Sequence, residues 1–168
     1  LSGGRLIVAV GMGSGQAVEW DNLGEEIDAK KRGRMLDEGL AVLDGLWSGE
    51  PFSYTGEHYR VTGAHFLPTP IQSPRIPVWV AGYWPNKAPM RRAARWDGAF
   101  PVYERFGVGS LEVFKESAQF VLEQRAKLGL GGPFDMIYRG ISRPGDQSVE
   151  HAACFAEAGA TWWLEHIV

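Results

Sequence analysis

What most constrains this chain is an alternation. Short apolar runs that stop at glycine or proline are separated by longer stretches with a helical period. The first run, Arg5-Leu6-Ile7-Val8-Ala9-Val10, ends at Gly11-Met12-Gly13-Ser14-Gly15. It shows no polar alternation, so it expects cover on both faces, the condition of a strand in a parallel sheet. Four more runs read as strands: Pro77–Gly82, Ala99–Val102, Phe134–Ile141 and Thr161–Ile167.

The intervening stretches read as helices. From Glu25 to Trp47, the residues Leu36, Leu40, Leu43 and Trp47 recur at spacings of four, three and four and so share one face, which Gly49 and Pro51 close off. A second helix starts at Pro85 and Asn86 and runs through Trp96. A third has Ser110 as its N-cap and continues to about Leu128, with Leu111, Phe114, Ala118, Val121, Leu122 and Leu128 facing inward. Asp146 is expected to cap a last helix through Ala158, ended by Gly159. The stretch Pro51–Pro77 is different. It holds five prolines and reads as an ordered covering or functional loop, either a short hairpin around Gly56 or an extended crossing.

Strands alternating with helices give an α/β fold with a parallel sheet and right-handed crossovers. Two architectures fit: an open doubly wound sheet, or a partial TIM-type (β/α)₈ barrel of about five parallel strands. A full barrel needs roughly 250 residues, against 168 here. The expectation is a single domain over residues 1–168. The chain starts at Leu1 and enters a strand almost at once, so an N-terminal part is expected to be missing.

Composition narrows the function. Seventeen basic and twenty acidic side chains give a net charge of −3, which supplies no phosphate-tracking stripe for nucleic acid. No apolar run approaches the ~18 residues of a membrane span, and no secretory leader is visible; the expected compartment is the cytoplasm. The single cysteine, Cys154, excludes an internal disulfide and a multi-cysteine zinc site. It lies mid-helix among alanines and reads as a small buried hydrophobe. The four histidines, at 58, 65, 151 and 166, have no metal-ligand spacing, so no metal is expected.

Two junctions could carry chemistry. The turn Gly11–Gly15 after the first strand could bring backbone N–H groups to a phosphate. It is G-x-G-x-G rather than G-x-G-x-x-G, and no good helix opens directly after it, so a plain tight turn is the other reading. At Gly82-Tyr83-Trp84-Pro85-Asn86-Lys87 a strand end meets a helix start. Lys87 and Arg91 add positive charge there, and Tyr83 and Trp84 offer flat apolar surface, which suits a phosphate carrying an aromatic ring system. A capped helix with two packed aromatics accounts for the same residues. Arg91, Arg92 and Arg95 read as surface cations. Glu165 and His166 read as strand-end residues that could face a barrel mouth.

Taken in order, these segments resemble the luciferase-like family of flavin- and deazaflavin-dependent oxidoreductases. The likeness rests on Gly4–Gly13, Glu19-Trp20, Gly24-Glu25, Arg34–Glu38, Leu46–Gly49, Phe52 and Gly56–Tyr59. It continues through Phe66–Pro68, Pro70–Gln72, Ile76–Gly82, Arg92–Gly98 and Ala158–Trp163. The resemblance selects the barrel over the open sheet and implies the larger, C-terminal part of such an enzyme, without its first strands. It implies cofactor contacts from Gly11, Met12 and Gly13 and from Ala81, Gly82, Tyr83, Trp84, Asn86 and Lys87. Some relatives carry arginine where Met12 aligns. The implied cofactor is FMN, or alternatively the deazaflavin F420. The implied partners are a small organic substrate and reduced flavin.

No catalytic side chain can be named. A sheet of five strands leaves two unpaired edges, and copies of the chain are expected to associate through them. The competing reading is a non-catalytic flavin- or phosphate-binding remnant. An unrelated nucleotide-binding α/β domain ranks last, because it needs a glycine fingerprint that opens straight into a helix.

Overall fold

The computed structural model describes residues 2–13, 17–103, 109–142 and 148–167. In chain order the elements are β1 (Val8–Val10), α1 (Ala17–Asn22), α2 (Ala29–Leu46), β2 (Phe52–Thr55), β3 (Arg60–Ala64) and β4 (Val78–Tyr83). Then come α3 (Lys87–Ala93), β5 (Gly98–Val102), α4 (Leu111–Lys127), β6 (Asp135–Gly140), α5 (Ser148–Glu157) and β7 (Trp162–Glu165). They gather into two compact units, residues 1–7 with 11–76, and residues 8–10 with 77–168.

The second unit holds a five-stranded sheet in the order β1-β4-β5-β6-β7, parallel throughout. That order decides between the two architectures. Each new strand adds on the same side of the last, so right-handed crossovers put α3, α4 and α5 on one face. A doubly wound sheet would reverse direction at a switch point, and none is present among the described strands. Adjacent helices touch in turn, α3 with α4 and α4 with α5. The arrangement is a partial TIM-type (β/α)₈ barrel.

The core follows from the strand sequences. Val78, Trp79 and Val80 of β4 and Met136, Ile137 and Tyr138 of β6 are buried at consecutive positions, as expected for strands covered on both faces. On the helices, Met90, Ala93, Phe114, Ala118, Val121 and Phe155 close over them. Tyr138 stacks on Phe155 with ring centroids 3.8 Å apart. β1 departs from the double-sided reading. It spans only three residues, Ala9 is exposed, and among the described residues β4 is its one partner in the sheet.

Several helix boundaries also differ from expectation. The stretch read as one helix from Glu25 holds α2, which begins only at Ala29, and a further short helix, α1, precedes it on the other side of Gly24 at φ +69°. Asp28 caps the restart, its side chain accepting from Lys31 N at 2.7 Å. A helix therefore opens soon after the glycine turn, contrary to the sequence reading. α3 stops at Ala93 rather than Trp96. The buried Arg125 guanidinium donates to the carbonyls of Ala94 and Trp96, at 3.1 Å each, and so holds that stretch as a turn. Ser110 caps α4 as expected, accepting from Val113 N. The buried stripe of α4 runs Phe114, Ala118, Val121, Arg125, which leaves Leu122 and Leu128 on the outside. Cys154 is exposed, not buried. Asp146 lies outside the described residues.

In the first unit, the proline-rich stretch contains a hairpin. β2 and β3 pair antiparallel, with Thr55 opposite Arg60, and Gly56 N donates to Tyr59 O at 2.9 Å across the turn. α2 packs on β2 through Gly45, where any Cβ would overlap the Phe52 ring.

Candidate functional site

Active sites of parallel α/β barrels form at the C-terminal ends of the strands, where the strand-to-helix loops meet. The end of β4 runs Ala81-Gly82-Tyr83 and passes through Trp84-Pro85-Asn86 into α3. Gly82 is needed for packing: a Cβ there would lie 2.2 Å from Cβ of Pro89. Trp84 is buried, and its backbone N–H donates to Val102 O at 2.9 Å, which fixes the junction to the end of β5. The Trp84–Pro85 peptide is cis, and Asn86 N donates to Tyr83 O at 3.0 Å to close the turn.

Three groups are left for a ligand at this junction. The Tyr83 ring is 44% exposed. Asn86 is the N-cap of α3, yet its side chain makes no capping hydrogen bond. The Lys87 ammonium sits 3.5 Å from the centre of the Trp84 ring and 4.4 Å from that of Phe120. Arg91, one turn further along the exposed face, lies 5.9 Å from Phe120. A cation held on aromatic faces keeps its charge while its stem is ordered. Phe120 had no place in the sequence reading. The available signal was an aromatic residue off the inward stripe of α4. Arg92 is buried, unlike the surface cation expected, whereas Arg91 and Arg95 are exposed.

The other strand ends carry polar groups on the same rim. Tyr103, after β5, is buried, and its hydroxyl pairs with Ser117 at 2.8 Å. Ser117 in turn donates to Phe114 O, so the Tyr103 hydroxyl is the donor of the pair. Burial pushes the Tyr103 phenol well above its ordinary range. After β6, the backbone N–H and hydroxyl of Ser142 donate to Glu165 at 2.6 and 2.8 Å. The Trp163 indole donates to the same carboxylate at 2.8 Å. These donors, Trp163 foremost, hold the Glu165 carboxyl below the usual range. Arg139 donates to Nδ1 of His166 at 2.6 Å, and since arginine can only donate, Nδ1 is the acceptor. The ring's other nitrogen, Nε2, then carries the proton.

Gly11, Met12 and Gly13 leave β1 directly, and Val10 pairs with Val80. Gly13 has φ +73°, and a Cβ there would meet the Trp20 ring at 2.6 Å. The Arg32 guanidinium lies 3.9 Å over the Trp20 ring and donates to Gly13 O at 3.4 Å. Glycine is therefore demanded here by backbone conformation and by the neighbouring ring together. Ser14 and Gly15 of this turn lie outside the described residues.

Comparison with known proteins places this architecture. Residues 1–140 match the family model described as luciferase-like monooxygenase. The chain belongs to the luciferase-like monooxygenase family. Among its relatives is the flavin-dependent trigonelline monooxygenase, oxygenase component, of Acinetobacter baylyi, 30% identical over 86 residues, which are 51% of this chain and 23% of that protein. Among solved structures, an F420-dependent secondary alcohol dehydrogenase in complex with an F420-acetone adduct superposes with a TM-score of 0.73 at 16% identity, over 96% of this chain and 64% of that one. The oxygenating constituent of 3,6-diketocamphane monooxygenase from Pseudomonas putida, in complex with FMN, superposes at 0.62 and 20% identity, over 83% of this chain and 40% of that one. The luciferase-like chain thus spans less than two thirds of these relatives. Flavin and F420 dependence both occur among them. No helix of the described residues is long and apolar enough to cross a membrane.

Proposed function

We propose that this chain contributes the phosphate end of the cofactor site to an oxidoreductase acting on a small organic substrate. The cofactor is FMN or the deazaflavin F420. The observation that carries the proposal is the β4–α3 junction, where an uncapped Asn86, the Lys87 ammonium and the exposed Tyr83 ring meet at a strand end.

This donor set fits a phosphate joined to a flat ring system. Lys87 supplies charge. Asn86 supplies an amide donor free of capping duty, and Tyr83 supplies an aromatic face. Gly82 lets α3 approach the strand closely enough to bring these groups to one place, with Ala81 preceding it. Trp84, held by Val102, keeps the segment rigid and carries the Lys87 side chain. Gly11, Met12 and Gly13 are assigned a second set of cofactor contacts. When bound, the cofactor supplies the redox chemistry, either oxygen-dependent oxidation with reduced flavin or hydride transfer with a deazaflavin; the chain's own residues bind and orient it. A non-catalytic binding remnant is not favoured by the family match. We also propose that copies associate through the outer strands of the sheet.

The test is a fluorescence titration of the purified chain with FMN and, separately, with F420. Saturable binding of one of them, weakened about tenfold by Lys87→Ala (a loss of ~1.4 kcal/mol), is the expected result. Binding that ignores Lys87→Ala and Asn86→Ala, or no binding of either cofactor, overturns the assignment to this junction.

A further inference from the structure

A compact cluster of ligating groups sits in the first unit, joining α2 to the turn between β2 and β3. Glu38 of α2 reaches into that turn. Its Oε1 accepts from Glu57 N at 2.9 Å, and its Oε2 accepts from His58 N at 2.9 Å and Tyr59 N at 3.0 Å. A carboxylate offers about four lone-pair positions, so Oε1 keeps one. Glu57 faces Arg34 through Oε2, at 3.3 Å from Nε, and turns Oε1 toward His58 Nε2 at 3.7 Å.

His58 supplies the independent observation. Its side chain is only 8% exposed, and its Nε2 is buried with no hydrogen-bond partner. An orphaned buried ring nitrogen costs about 1–3 kcal/mol unless something fills its position. The 3.7 Å gap to Glu57 is too long for a hydrogen bond. It is close to the spacing of two ligand atoms on one ion: at ~2.0–2.2 Å from a tetrahedral zinc, neighbouring ligands stand roughly 3.4 Å apart. One ligating atom from each of Glu38, Glu57 and His58 lies within 4.8 Å of the other two.

We infer that Glu38, Glu57 and His58 form a binding site for a divalent transition-metal ion of the zinc class. The imidazole favours such an ion over calcium or magnesium, and two carboxylates balance its charge. The ion would bridge α2 and the hairpin turn, replacing a gap with bonds. Arg34 and Lys31 are the cations facing Glu57. Arg34 competes with the ion for the Glu57 carboxylate, so its removal is expected to tighten binding, the opposite of what a purely structural ion pair would give.

The site is tested by calorimetric titration of the chelator-treated chain with Zn²⁺ at about pH 7.5, where imidazole is neutral. A Cys154→Ser background is used because that thiol is exposed. The expected result is one saturable site and a melting temperature raised by zinc. Affinity should drop at least tenfold in Glu57→Gln and in His58→Ala, and hold or rise in Arg34→Ala. Should His58→Ala fail to fold, Glu57→Gln carries the test, since that side chain is 60% exposed. Absence of saturable binding overturns the inference, as does binding that survives Glu57→Gln.

Discussion

At the scale of single residues, close approach explains several glycines that no motif would have singled out. A Cβ on Gly140 would lie 1.8 Å from the Trp163 ring, because β6 and β7 pair there and the indole crosses the strand. Gly131, in the turn after α4, has open space around it and an ordinary backbone. Gly140→Ala is therefore expected to cost roughly 1–3 kcal/mol by overpacking, while Gly131→Ala stays within about 0.5 kcal/mol. Denaturant midpoints of the two variants decide this, and equal midpoints would refute the packing argument. Side-chain fates were hard to read at this scale. Cys154 sits among alanines and looked like a core residue, but it falls on the outward side of α5. Leu122 is one residue off the buried stripe of α4, so its apolar character misleads. Burial is set by which face meets the sheet, and a few residues of drift around a helix reverse it.

At the scale of elements, the strand ends after β6 and β7 are joined by one carboxylate. Glu165 accepts from Ser142 and from the Trp163 indole, which depresses its titration below the ordinary 4.5. The folded state thus binds this proton less readily than the unfolded chain. Its contribution is complete above about pH 4.5 and is lost as pH falls through the lower folded value. The protection of the Ser142 amide, its exchange rate relative to the intrinsic rate at each pH, is expected to fall over that acid window, and Glu165→Gln should remove that fall; protection that stays constant with pH in the unmodified chain contradicts this. Elements themselves were largely legible. Each expected strand is present near its predicted place, and Ser110 caps α4, because continuous apolar runs and cap residues act locally. Boundaries moved where distant groups intervened. α3 ends early because Arg125, 31 and 29 positions away in the chain, takes the carbonyls of Ala94 and Trp96. The Glu38 cluster was invisible for the same reason: its members lie about twenty positions apart and meet only once the hairpin folds back on α2.

At the scale of the whole molecule, the sheet runs β1-β4-β5-β6-β7, so within these residues β1 and β7 each pair with one neighbour. Unpaired strand edges are templates for another chain. Light scattering of the purified chain is expected to give a mass above the monomer at micromolar concentration, and charged substitutions on β7 such as Trp162→Lys should lower it. A clean monomer removes the association proposal. Trp162 is a suitable probe because it is 44% exposed on that strand.

The sequence by itself determined the class: parallel strands, intervening helices, and the family to which the chain belongs. Those are consequences of local pattern, since periodicity, caps and glycine or proline stops act over a few residues. Only the tertiary structure decided the rest. The one-directional strand order showed directly the barrel that the strand–helix pattern alone left open, and strand pairing made the stretch around Gly56 a hairpin and not an extended crossing. Packing chose Gly82 and Gly140 as close-approach positions, set Lys87 over the rings of Trp84 and Phe120, and left one nitrogen of His58 without a partner beside two carboxylates. Each of these depends on groups far apart in the chain, whose meeting is fixed by how the elements pack and not by any segment's own preference.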